Sequence, residues 1–185
     1  MNSLELNRVI LKQTKNQTMS RKDLKQEDAI TKLKELAEKI DFTMMATDLS
    51  QPPFHVIPMS TKKVDEDGNI WFLSDASSTH NKHIEQEERA LLTYSNKSDM
   101  EFLSVYGQAI IGNDKKVIDE LYASSDDMWF DGKDDPNITT IQIRPSDVHY
   151  WDSKDNKLVS MIKFTTGAIT GTQPDLTESG ELDIN

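Results

Sequence analysis

One stretch, residues 56–82, limits the architectures open to this chain more than any other: VIPMSTKKVDEDGNIWFLSDASSTHNK. Residues 56–64 form one extended run and residues 70–74 a short run of β-branched and aromatic side chains. Between them, Asp65-Glu66-Asp67-Gly68-Asn69 supplies the Asp-Gly chemistry of a tight hairpin turn. The chain then gathers Ser77, Ser78, Thr79, His80, Asn81 and Lys82 directly before Ile84-Glu85. Hydroxyls and a lysine beside a helix N-terminus suit a phosphate group. A loop of such residues that does no more than cap its helix is far commoner.

The rest of the chain extends that hairpin into an antiparallel pattern. Residues 23–40 repeat apolar positions at Ile30, Leu33, Ala37 and Ile40, with Leu36 flanking, which predicts an amphipathic helix over one side of a sheet. Strands are predicted at 42–47, 56–64, 70–74, 90–95, 101–111, 137–144 resuming at 148–151, and 158–164. Pro58 points to an edge, a bulge or a place where backbone faces a ligand. In the fifth strand Phe102, Val105 and Ile110 are candidate core residues and Gly107 a bulge. A short helix to Glu87 and another from Asn113 or Asp114 to Tyr122 complete the elements. The fold class is therefore mainly β with peripheral α: six or seven antiparallel strands in a small barrel or a packed pair of sheets. Neither a βαβ repeat nor a glycine-rich dinucleotide turn is present, which argues against a Rossmann cofactor site.

The 185 residues suit one domain. Residues 1–22 read as a flexible N-terminal arm, with Met19 as an alternative start, 23–170 as the folded domain, and 171–185 as an acidic solvated tail. The net charge is −11, from 21 Lys and Arg against 32 Asp and Glu, which argues against a nucleic-acid partner. With no cysteine there is neither a disulfide nor a thiolate nucleophile or ligand. The four histidines, His55, His80, His83 and His149, show no HExxH spacing, and no metal site is expected. No apolar run spans a bilayer, and the N-terminus lacks a signal-peptide core, so the expected location is cytoplasmic with no membrane partner. Residues 126–136, DDMWFDGKDDP, place Trp129 and Phe130 in an acidic loop, where they need an apolar surface to cover.

Taken together, FTMMATDL, PMS, DEDGNIWFLS, SSTHNK, WFDGKDDP, VHYWDS and AITG, in that order, resemble the general stress protein 26 family of pyridoxamine 5′-phosphate oxidase-like, FMN-binding split barrels. The resemblance covers roughly residues 28–183. It implies a split β-barrel that forms a homodimer with FMN sites at the interface. By motif position, Met59 and Ser60 would flank the isoalloxazine, and Phe72 and Leu73 would offer backbone contacts. Ser74, Ser78 and Lys82 would serve the ribityl chain and phosphate, and Trp129 would come from the partner or the barrel rim. Many relatives carry an arginine two residues before the strand methionine. Ile57 stands there in this chain, a loss of about 1–3 kcal/mol of charged hydrogen bonding unless another group replaces it. The implied role is a flavin-dependent oxidoreductase of the stress response with an unknown small-molecule substrate. The alternatives are a non-catalytic flavin-binding or redox-sensing protein, or a barrel without flavin that acts through protein contacts. No catalytic residue set is evident.

Overall fold

The computed structural model describes residues 20–21, 24–25, 27–153 and 177–183. The helix α1 (Glu27–Ile40) follows from the spacing of Ala29, Leu33, Leu36 and Ala37, all buried, with acids in its first turn and Lys39 in its last. Strands β3 (Phe42–Thr47) and β4 (His55–Ser60) pair antiparallel, and a two-residue strand β5 (Lys63–Val64) follows almost at once. The predicted run 56–64 is thus broken. β4 pairs with β3, whereas β5 pairs with β6 (Ile70–Asp75). The chain changes partners at Thr61 and Lys62, where a straight strand cannot serve both halves of a curled sheet.

The expected hairpin joins β5 to β6. Gly68 has φ +80°, and its N–H donates to the Asp65 carbonyl at 3.0 Å. The Asp65 carboxylate accepts from Asp67 N, Asn69 N, Asn69 Nδ2 and Trp71 Nε1 at 2.8–3.1 Å. Burial opposes ionisation there, but these donors outweigh it and hold the carboxyl below its ordinary value.

The remaining elements are helix α2 (Thr79–Gln86), strands β7 (Arg89–Asn96) and β8 (Glu101–Gly112), helix α3 (Lys115–Leu121), a 3₁₀ turn (Ser124–Met128), and strands β9 (Ile138–Ser153) and β10 (Thr177–Asp183). Asp114 caps α3, its carboxylate accepting from Lys116 N at 2.9 Å. The sheet runs β10-β9-β8-β7-β3-β4, while β6 pairs with the first half of β9 on the side where β10 pairs with its second half. It curls into an antiparallel half-barrel around a core of α1, Met45, Phe72, Leu92, Tyr94, Leu103, Val105, Ile141, Ile143 and Tyr150. A second cluster of Leu73, Ile118, Leu121 and Ile138 lies under α3, with Phe130 against it.

Four expectations differ from this structure. The turn expected at Pro145–Asp147 is a bulge within one strand, because β9 passes Ser146 unpaired between Asp147↔Tyr106 and Pro145↔Gly107. A proline lacks the N–H a ladder needs and is tolerated there. On β8 the buried set is Leu103, Val105 and Ala109, while Phe102 and Ile110 lie half-buried on the opposite face. Within the expected acidic tail, residues 177–183 form β10 against β9, anchored by the buried Leu182. Ser20–Arg21 of the expected arm, labelled β1, and Leu24–Lys25, labelled β2, pair parallel with β10. The predicted strand at 158–164 lies outside the described residues.

Gly107 is where the bulge brings two backbones together: a Cβ there would stand 2.2 Å from the Arg144 carbonyl oxygen and 2.9 Å from Pro145 Cα. Gly107→Ala is expected to cost about 1–3 kcal/mol and to lower the Tm by several degrees in a thermal melt. An unchanged Tm would remove this account of the bulge.

Candidate functional site

β4 and β6 are the two strands the curled sheet does not join. Among the described residues β4 has an open edge and β6 is open beyond its short pairing with β5, and a cavity of about 300 Å³ lies between them. That is the lower end of the range of about 300–1,000 Å³ usual for small-molecule sites. Phe42, Ile57, Pro58, Met59, Leu73, Trp129 and Phe130 form its apolar wall, and Ser60, Lys62, Ser74, Asp75, His80 and Asp126 its polar one. The Lys62 N–H donates to the Trp71 carbonyl at 2.8 Å, so the polar backbone atoms of Trp71 point away from β9. Alternation then turns those of Leu73 to the open edge and those of Phe72 into the β9 ladder opposite Ile141.

The residues expected from sequence divide accordingly. Met59, Ser60, Leu73, Ser74 and Trp129 line the cavity. The Phe72 side chain is fully buried in the barrel core. Ser78 caps α2, its hydroxyl accepting from Asn81 N at 3.3 Å. Lys82 is exposed on α2 and lies off the cavity wall, without an ion pair among the described residues.

Ser74 anchors a closed network. Its hydroxyl donates to Asn81 Oδ1 at 2.9 Å, Asn81 Nδ2 donates to Thr139 Oγ1 at 2.9 Å, and Thr139 Oγ1 donates back to the Ser74 carbonyl at 3.0 Å. His80 Nε2 lies 2.6 Å from Ser74 Oγ. Burial pushes the His80 imidazole down to about 4, aided by the nearby His55 and His83 and opposed by Asp75. His55 and His83 meet edge to face at 5.1 Å, and His83 Nδ1 is 3.3 Å from Thr47 Oγ1. Among the described residues no group of His, Asp and Glu is arranged to hold a metal ion, and no helix is long and apolar enough to cross a membrane.

Sequence reasoning missed Lys62 and Asp126. Their side chains are only 12% and 7% exposed and form an ion pair. Asp126 also accepts from Ala123 N at 2.9 Å and so ties the Ser124–Met128 turn to the cavity wall. Trp129 follows directly, 76% exposed at the mouth. Of the Trp129-Phe130 pair only Phe130 finds an apolar surface, packing at the cluster under α3, 6.4 Å from the Tyr122 ring, while Trp129 stays exposed at the rim. Nothing local in the sequence pairs residue 62 with residue 126; the juxtaposition is tertiary.

The family described as pyridoxamine 5′-phosphate oxidase like matches residues 28–175. General stress protein 26 of Bacillus subtilis (strain 168) is 35% identical over 60 residues, 32% of this chain and 43% of that protein, so the match spans less than half of the relative's length. A solved structure described as a general stress protein 26 from Jannaschia sp. CCS1 superposes with a TM-score of 0.70 at 20% identity, covering 84% of this chain and 98% of that one. A pyridoxamine 5′-phosphate oxidase-related, FMN binding protein from Nostoc punctiforme PCC 73102 gives 0.52 at 13% identity, covering 70% and 84%. At these identities the structural likeness establishes the fold, a split barrel.

The Lys62–Asp126 pair sets the first expectation for this site. Asp126→Ala leaves a buried ammonium without its partner and should cost about 3–5 kcal/mol in denaturant unfolding. The double variant Lys62→Met/Asp126→Leu should recover most of that loss. Equal destabilisation of the single and double variants would mean that the pair does not hold the turn.

Proposed function

The chain belongs to the pyridoxamine 5′-phosphate oxidase-like family, and on that premise we propose that the cavity between β4 and β6 binds FMN in a flavin-dependent oxidoreductase of the stress response. One observation carries this reading. A single cleft offers an apolar wall, the unpaired backbone of Leu73, and a hydroxyl–imidazole end beside the start of α2. A flat ring system, its polar edge and a phosphorylated polyol need those surfaces.

Met59, Ile57, Leu73 and Trp129 would hold the ring, with the Leu73 N–H and C=O available to its edge. Ser74, His80 and the first turn of α2 would receive the chain and its phosphate. When bound, the flavin supplies the redox chemistry. Lys62 and Asp126 keep the Trp129 segment at the mouth. A second reading, a barrel that works through protein contacts without flavin, draws on Ile57 and on the engagement of Lys62 by Asp126. Titration with FMN followed by gel filtration separates the two. Flavin absorbance is expected to travel with the protein, and its absence after loading at high micromolar FMN sinks the first reading.

The homodimer belongs to the same proposal. On the outer face of β3 and β4, Phe42, Met44, Val56 and Pro58 lie side by side and exposed, and Trp151 lies exposed on β9. A contiguous apolar face of this kind suits a second copy. Met44→Glu is expected to convert a dimer to a folded monomer in sedimentation; a wild-type monomer would remove the dimer from the proposal.

A further inference from the structure

The cavity has four ionisable groups on its wall: Lys62, Asp75, His80 and Asp126. Lys62 and Asp126 neutralise one another. That leaves Asp75, a negative charge, and His80. A phosphate dianion placed at the α2 end would therefore meet no net positive charge from any side chain on the wall, and it would lie near a carboxylate.

The network around Ser74 fixes how His80 stands. Because the Ser74 hydroxyl donates to Asn81 Oδ1, Ser74 Oγ is an acceptor toward His80 at 2.6 Å. The imidazole thus carries its proton on Nε2, and Nδ1 has the free lone pair. Asp75 stands at the end of β6, His55 on β4 and His83 on α2. Burial, with a smaller contribution from the two histidines, keeps His80 neutral, and Asp75 favours its charged form. A bound dianion acts in the same direction as Asp75 and far more strongly.

Resting on the FMN reading above, we propose that His80 supplies the positive charge for the cofactor's phosphate by taking up one proton at Nδ1 as the phosphate binds, so that FMN binding to this protein is proton-linked. The proton comes from solvent, and the N–H bond it forms at Nδ1 is the one bond made in the protein. The sign follows from linkage. The complex holds one proton more than the separate protein and ligand, so affinity rises as pH falls through the window between the free and bound pKa values of His80.

The test is a fluorescence titration of the whole protein with FMN and with riboflavin, which lacks the phosphate, at several pH values above about 6.5, where the phosphate remains largely dianionic. For wild type, FMN binding is expected to tighten by up to about tenfold per pH unit lowered, the limit for one proton, while riboflavin binding stays flat. His80→Gln keeps a donor for Ser74 but cannot titrate, and its FMN curve should be flat. Calorimetry in two buffers of different ionisation enthalpy should show about one proton taken up by wild type near neutral pH and none by His80→Gln. Asp75→Asn removes the opposing charge and should bind FMN more tightly at the high-pH end. A flat wild-type FMN curve, or equal proton uptake by wild type and His80→Gln, overturns the role of His80 and leaves the flavin reading standing. Failure of FMN and riboflavin alike to bind overturns both.

Discussion

Two adjacent residues hold the halves of this sheet together. Thr61 faces one half: its N–H donates to the Asp41 carbonyl at 2.7 Å, and its hydroxyl meets the buried Tyr94 OH at 2.9 Å. Lys62 faces the other half, through its N–H to Trp71 and its ammonium to Asp126. Burial raises the Tyr94 phenol, so it stays a neutral hydrogen-bonding partner at any ordinary pH. Everything beyond this crossover follows from it. β4 stays with β3, β5 goes to β6, and the two open edges are left facing one another across the cavity.

The site's charges reflect a chain that carries 11 more acids than bases. A cavity that receives a phosphate in such a protein has to obtain positive potential locally. Here the one lysine on the wall is already committed to holding a loop, and the remaining adjustable group is an imidazole. On the proposed reading, position and charge fall to different residues, with Lys62 fixing the Trp129 segment and the α2 end left for the anion.

The hairpin, the helix over the sheet and the bulge at Gly107 were legible because each rests on local chemistry: Asp-Gly in a turn, apolar spacing in α1, a glycine at a close approach. The candidate site was legible where a residue's strand position decides its surroundings, as for Met59, Ser60, Leu73 and Ser74. Residue type alone did not say where the side chains at the start of α2 would lie. Ser78 caps α2, and Lys82 is exposed and outside the cavity lining. β10 was missed because its acids suggest solvation, while a strand at the end of a sheet needs only an anchor such as Leu182. The Lys62–Asp126 pair joins residues 64 apart in sequence and could not have been read locally.

Pro58 on the open edge of β4 has a further consequence. An exposed strand edge next to an apolar cleft is a template on which an extended segment of another chain can add and propagate into an aggregate. Proline has no N–H to offer such a segment, and it stands at the middle of the edge, opposite Met44. The residue that interrupts the row of donors along the cleft therefore also disfavours assembly of further copies through that edge.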